Sequence, residues 1–294
     1  MRIFLVIFFV SASFIFAQTP KRPNQLANLK FWVKADSVKS TNNGNQYTDG
    51  AAMDTVYNWG SFGGYILQTS ASSKPIYRAN ATLPALPAME MDGTDNFGQG
   101  NQTLANYNFC HDGRGFTTIS VFYAQTASRT NLLFNTAANS SSNSGFDLLI
   151  TSGNKARFNI AKAVGGATYI IALESTNTFS GTGQANVYVV SGVYNPNYSP
   201  DTAFVRVNGV QEGVAQATNL LHSRSNSATV AISSTTGLLG FFLEACLYSE
   251  VKTTAELAAL ESHFLEKWAM KYPEIPKYLD LRGVIKNGVA KNEK

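Results

Sequence analysis

The stretch from Leu238 to Pro273 changes its hydrophobic period once, and that change limits what the chain can become. From Leu239 the residues alternate, with Leu239, Phe241, Leu243, Ala245 and Leu247 on one face and Gly240, Phe242, Glu244, Cys246 and Tyr248 on the other. Period two over a run of this length is a strand, and apolar residues on both faces predict a strand covered on both sides. Thr253 followed by Glu256 three residues later forms a capping box, which starts a helix. Leu257, Leu260, Phe264 and Trp268 then recur at three- and four-residue steps as one apolar stripe, while Glu256, His263, Glu266 and Lys267 lie off it. Pro273 stops the helix. A lone amphipathic helix must lay its stripe on something, and in a chain with few other helix signals that surface is a β-sheet.

The rest of the chain carries short apolar runs cut by Gly, Asn and Ser turns. Expected strands are Leu29 to Lys34, Val56 to Trp59, Met89 to Asp92, Phe116 to Ala124, Asn131 to Phe134, Phe146 to Thr151 and Ala156 to Ala161. Tyr169 to Leu173, Ala185 to Tyr194, Thr202 to Val207 and Ala228 to Ser233 continue the series, with Asn208-Gly209 as a hairpin turn. Residues 61–73 read as loop with an apolar patch at Tyr65-Ile66-Leu67, and the prolines of 83–87 rule out a central strand there. The expected fold class is all-β: a two-sheet antiparallel jelly-roll sandwich with one C-terminal amphipathic helix on it.

Four segments carry a family resemblance. Leu29-Lys30-Phe31-Trp32-Val33-Lys34-Ala35-Asp36 resembles an opening L-x-L-W-L-D-A-D strand, with Lys34 where an acid is usual. Val56-Tyr57-Asn58-Trp59-Gly60 resembles a V-x-x-W-x-D segment. Lys74-Pro75-Ile76-Tyr77 and Met89-Glu90-Met91-Asp92-Gly93-Thr94-Asp95 resemble a "QPTY … V-x-F-D-G-T-D" block, and the strand–helix ending completes the set over residues 29–272. In this order they resemble LamG-like (laminin G-like) domains of the concanavalin A-like lectin/glucanase superfamily, found in secreted bacterial and phage proteins. The resemblance implies the sandwich and places Trp32, Trp59 and Trp268 at core positions. It does not imply one activity, because lectins, enzymes and structural modules share the fold.

Arg2, the apolar run from Ile3 to Phe16 and then Ala17 describe a secretory signal, shorter than the ~20 residues of a membrane span. The organisation is therefore a signal peptide at 1–17, one domain at 18–272 and a basic, loosely ordered tail at 273–294 carrying Lys277, Arg282, Lys286, Lys291 and Lys294. Membrane contact is expected only through the signal segment. A net charge of +4 spread along 294 residues argues against nucleic acid as a partner. The two cysteines, Cys110 and Cys246, read as separate buried thiols, with one disulfide as the alternative.

Three candidate chemistries emerge. Glu90 and Asp92 share a strand face, as the acid and nucleophile of a glycoside hydrolase do, and laminarinase-like members of the superfamily carry such a pair. Gly93-Thr94, however, falls where that strand would continue, which favours a turn. Asp92, Asp95 and Asn96 offer clustered oxygens for calcium, a cofactor that the resemblance also suggests. Cys110-His111-Asp112 looks like a catalytic cluster, but the partners of such sites meet in space rather than in sequence, and His222 and His263 stand alone. No zinc, serine-hydrolase or P-loop motif is present.

Binding is better supported than catalysis. A pyranose offers an apolar face and a hydroxyl rim, so aromatic side chains beside Asn and Asp suit it. Tyr194, Asn195, Asn197, Tyr198 and Asp201 form the best loop of this kind, with Tyr47 and Tyr107 next. The expected function is a secreted, non-catalytic module binding carbohydrate or another surface ligand through rim loops. The alternatives are a structural or adhesive protein of a virion or cell envelope, with a protein as partner, and a glycoside hydrolase using Glu90 and Asp92.

Overall fold

The computed structural model describes residues 19–39, 46–81, 86–125, 130–136, 145–162, 168–179, 186–198, 200–217, 230–233 and 237–269. The signal segment, the basic tail, His222 and residues 83–85 lie outside them. In chain order the strands are β1 (Leu29–Lys34), β2 (Thr55–Tyr57), β3 (Tyr65–Leu67), β4 (Ile76–Arg78), β5 (Ala88–Asp92), β6 (Gly98–Gln99), β7 (Phe116–Ala124) and β8 (Asn131–Asn135). They continue as β9 (Gly145–Ile150), β10 (Ala156–Lys162), β11 (Thr168–Glu174), β12 (Tyr188–Asn195), β13 (Asp201–Val207), β14 (Val210–Ala217), β15 (Ala231–Ile232) and β16 (Leu239–Tyr248). Helix α1 spans Thr254–Ala269.

Eight strands form one antiparallel sheet in the order β14-β13-β12-β7-β16-β5-β4, with β1 also paired to β16. Five form a second in the order β11-β10-β9-β8-β15. The two layers meet through aromatic side chains. Phe116 on β7 lies 5.2 Å from Phe146 on β9 and 6.1 Å from Phe158 on β10, measured between ring centroids. Gly192 on β12 lets them close: a Cβ there would sit 2.6 Å from Phe158. Alternation then sends Thr117, Ile119 and Val121 to the other side of β7, where they are also buried. The sandwich expected from the period-two runs is thus present.

Helix α1 covers that other side. Thr253 and Glu256 close the capping box, with Thr253 N–H donating to Glu256 Oε2 at 2.9 Å and Glu256 N–H to Thr253 Oγ1 at 3.2 Å. Leu257, Leu260, Phe264 and Trp268 are all buried. At ~25 cal/mol per Å2, burying such a stripe stabilises by several kcal/mol. Two buried carboxylates fasten the helix. Glu244 on β16 accepts from Trp32 Nε1 at 2.5 Å, Trp268 Nε1 at 2.7 Å and Lys267 Nζ at 2.7 Å, joining first strand, last strand and helix. Glu261 accepts from Ser191 Oγ at 2.7 Å and from Arg206 Nε and Nη2 at 3.0 Å, joining the helix to β12 and β13. Lys267, expected off the buried stripe, instead reaches back to Glu244 and to Asp36 at 2.9 Å, because its long stem lies beside Trp268.

The apolar patch Tyr65-Ile66-Leu67, expected within a loop, forms β3 of a small sheet in the order β2-β3-β6. A three-residue run is too short to show a period, so its pairing with β2 decides it. Cys110 and Cys246 are free and buried, as the reading of two separate thiols requires, and burial pushes both thiols well up.

Candidate functional site

Strand β5 carries Glu90 and Asp92 on the face it shares with α1, while Met89 and Met91 point between the sheets. Gly93 at φ 92° ends the strand, because that left-handed conformation suits glycine. Asp92 Oδ1 then accepts from Thr94 N at 2.7 Å, Thr94 Oγ1 at 2.8 Å and Asp95 N at 3.0 Å, while Asp95 Oδ2 accepts from Asp92 N at 3.0 Å. Asp92 to Asp95 is therefore a hydrogen-bonded turn, and Asp95 lies beyond the end of the strand.

Around this turn lies a cavity of about 380 Å3. Strand β4 contributes Ile76, β5 contributes Glu90, Met91 and Asp92, the turn contributes Asp95, and the ends of β7 and β16 contribute Gln125 and Leu239. Ser72 and Lys74, from the turn before β4, close it. Register explains the convergence: Ile76 lies opposite Glu90, and Asp92 opposite Leu239. Glu90 is held from behind by Arg78 Nε at 2.5 Å. Asp95 is 5% exposed. Burial, then the charges of Asp92 and Glu90, push its carboxyl up to about 6, against the hydrogen bond from Asp92 N–H that lowers it. Three carboxylates, an ammonium, a hydroxyl and an amide thus face one space with an apolar wall.

Two of the oxygens expected to face a calcium ion, Asp92 Oδ1 and Asn96 Oδ1, are engaged by the protein itself. Asn96 Oδ1 accepts from Gln68 Nε2 at 2.8 Å, and Asp92 Oδ1 already takes three donors from its own turn. Among the described residues no group of three or more His, Cys, Asp or Glu side chains is placed to hold a metal ion. For a glycosidase pair, Asp92 is built into the turn rather than displayed on a continuing strand.

The tyrosine loop divides. Tyr194 is buried against Phe116, with ring centroids 5.8 Å apart, and its hydroxyl donates to Asp201 Oδ2 at 2.8 Å. It cannot offer a platform, and Asp201 is spent on holding it. Position 194 falls on the inner face of β12, which the loop's composition hid. Tyr198 is 56% exposed at the hairpin tip, where Asn195 Oδ1 accepts from Asn197 N at 3.0 Å and fastens the turn. Tyr107 is buried, and Tyr47 gives its hydroxyl to Asp54 Oδ1 at 2.5 Å, so neither is a platform. Cys110 and His111 are buried, while Asp112 pairs with Arg114 at 2.8 Å. Trp32 and Trp268 are core residues as expected, but Trp59 is not: it is 48% exposed.

Neither a protein-family model nor a curated protein sequence matches the chain. Solved structures share the fold. A structure of botulinum neurotoxin type C, which is dependent upon interaction with two ganglioside molecules to get into cells, aligns at TM-score 0.52 and 10% identity over 82% of this chain and 52% of that one. A Ruminococcus gnavus IT-sialidase CBM40 bound to α2,6-sialyllactose aligns at TM-score 0.46 and 10% identity over 58% of this chain and 95% of that one. A Trypanosoma rangeli sialidase in complex with the inhibitor DANA aligns at TM-score 0.47 and 12% identity over 83% and 35%. The chain therefore spans about half of the neurotoxin chain and a third of the sialidase. At these identities the likeness concerns the sandwich alone.

Proposed function

We propose that this chain is a secreted, non-catalytic carbohydrate-binding module of LamG-like type that seats a sugar in the cavity between β4, β5 and the start of β16. The observation that carries the reading is the convergence of Lys74, Glu90, Asp95, Ser72 and Gln125 beside Ile76 and Leu239 in about 380 Å3. That size falls in the ~300–1,000 Å3 range of small-ligand sites. A carboxylate accepts from two neighbouring ring hydroxyls, an ammonium donates to a third, and the aliphatic wall takes the C–H face. Asp95 lines the same space as Glu90 and Asp92. Occupation of the Asp92 carboxylate by its own turn favours binding over hydrolysis. Dependence of a protein with the same fold on gangliosides is in keeping with a glycan ligand.

Export rests on the apolar segment at 3–16. A glycan array probed with the mature protein tests the function. Loss of the array signal on Glu90→Gln and on Lys74→Ala is expected, with no reducing sugar released from bound glycans. An empty array, or one unchanged by both substitutions, counts against the cavity; loss on Tyr198→Ala alone would move the site to the hairpin tip.

One observation favours protein assembly as a second reading. Val210 and Val214 are 58% and 56% exposed on β14, the outermost strand of the large sheet, and an apolar edge strand invites a partner. Sedimentation showing only monomer at high concentration would remove it.

A further inference from the structure

The small sheet β2-β3-β6 turns its outward face into an aromatic surface that shares no residue with the cavity. Val56 and Ile66 point into the core, so their neighbours Tyr57 and Tyr65 point out. The two rings meet edge to face, 6.1 Å apart at 70°. Beyond β2 the chain enters a loop that is locked rather than loose. Asn58 is buried, and its amide makes four bonds. Oδ1 accepts from Trp32 N and Gly60 N, both at 2.8 Å, and Nδ2 donates to Lys30 O at 3.2 Å and Gly63 O at 3.0 Å. Trp59 N donates to Trp32 O at 2.7 Å, which pairs the loop with the edge of β1. Gly60 is required by the approach, since a Cβ there would lie 2.4 Å from the Lys30 carbonyl carbon. With Asn58 turned in, Trp59 is turned out.

One lysine lies over the exposed Trp59 ring, and a second lies over the neighbouring Phe62. Lys34 Nζ lies 5.3 Å from the Trp59 ring and 4.7 Å from the Trp32 ring, and Lys30 Nζ lies 5.5 Å from the Phe62 ring. Both come from β1, with Lys30 at its bulge and Lys34 at its end. Among the described residues neither ammonium has a carboxylate partner. The nearby Asp36 is paired with Lys267, and Asp54 accepts from Tyr47. A Cβ at Gly98, which pairs with Leu67 on β3, would have open space around it.

We infer that this face binds the interior of a carboxylated polysaccharide, a chain of uronic-acid rings. The exposed indole takes the C–H face of a pyranose. Lys34 and Lys30 meet carboxylates carried at ring edges. An open, flat surface accepts a chain passing across it, whereas a cavity seats an end. The four bonds of Asn58 hold the indole in place before the ligand arrives, which lowers the ordering cost of binding. Aromatic rings with lysines also mark lipid interfaces, so vesicles form one arm of the test.

The experiment titrates the mature protein with polygalacturonate, alginate and hyaluronan oligomers, with methyl-esterified polygalacturonate as the uncharged counterpart, and with phosphatidylserine vesicles. Binding of at least one acidic oligomer is expected, weaker for the ester and weaker in high salt. Trp59→Ala is expected to weaken it about tenfold or more. Lys34→Gln combined with Lys30→Gln should abolish the preference for acid over ester. Lys155→Gln, which removes one positive charge from the β9–β10 turn, should change nothing. Thermal melts confirm that each variant folds. Equal binding of acid and ester, unchanged affinity in Trp59→Ala, binding to vesicles alone, or no binding of any acidic oligomer at ~1 mM overturns the inference. A cavity that fails its own test leaves this outcome untouched, because Glu90→Gln and Trp59→Ala alter different surfaces.

Discussion

Replacing Glu244 by leucine removes the acceptor on which β1, β16 and α1 converge. Two indole N–H groups, those of Trp32 and Trp268, then lie buried with no partner in place of bonds at 2.5 and 2.7 Å. An orphaned buried donor costs about 1–3 kcal/mol, so the pair costs about 2–6. Lys267 is less affected, because it keeps Asp36 at 2.9 Å. Leucine also removes a buried carboxylate whose desolvation was unfavourable, which offsets part of the loss. The net expectation lies below the midpoint of that range, about 3 kcal/mol for Glu244→Leu. Glu244→Gln keeps one acceptor oxygen but turns an NH2 toward a donor, so about 2 kcal/mol is expected. Urea unfolding of the mature protein, followed by tryptophan emission and circular dichroism, gives both values at constant m. Against a typical total of ~5–15 kcal/mol either loss is large. A shift below ~1 kcal/mol for Glu244→Leu would refute the idea that this carboxylate holds the helix to the sandwich.

Gly192→Ala should cost about 1–3 kcal/mol in the same urea assay, since its Cβ would meet Phe158 at 2.6 Å. Trp268→Ala empties the end of the apolar stripe and should cost about 3–5 kcal/mol, with loss of helical signal near 222 nm as the second readout. Stability against pH should show two opposed slopes. The Asp95 carboxyl, pushed up to about 6 by burial and neighbouring acids, holds its proton more tightly when folded, so that contribution is present below the ordinary value of ~4 and is lost as pH rises through 6. The His263 imidazole is pushed down to about 4 by burial and by Lys267 and Arg22; its contribution is present above 6.5 and is lost as pH falls to 4. Asp95→Asn should therefore leave a protein that weakens on acidification from pH 6.5 to 4, and His263→Gln one that strengthens; identical profiles for the two would contradict these assignments. Both thiols should react with a thiol reagent only after unfolding, and reaction of either in the native protein would contradict their burial.

The strand–helix ending was legible because its two periods are long enough to be unambiguous and Thr253 and Glu256 mark the change. β1 and β7 were legible for the same reason. β3 and β4 were not, because three residues carry no period and only cross-strand pairing makes them strands. Glu261 carries no local signal of its role, because its partner Arg206 lies 55 residues away in the chain. The acidic cavity was half legible. Glu90, Asp92 and Asp95 stand in one motif, but Lys74, Gln125 and Leu239 reach it only through the order β7-β16-β5-β4. Tyr194 and Trp59 exchanged the environments expected of them. Composition marks a loop as aromatic and polar, but which ring faces water depends on strand parity at Tyr194 and on the inward turn of Asn58 at Trp59. The signal for Trp59 was present in the Asn58-Trp59-Gly60 tripeptide, where an Asn able to bond backbone precedes a Gly able to approach it.

The most direct measurement is a crystal structure of the mature protein with the oligosaccharide it binds most tightly on an array. A sugar ring is expected between Lys74 and Glu90, with hydroxyls on the Glu90 carboxylate and a C–H face against Ile76 and Leu239. A ligand seated instead at the hairpin tip of Asn197 and Tyr198, with the cavity between β4 and β5 holding only water, would contradict the proposal.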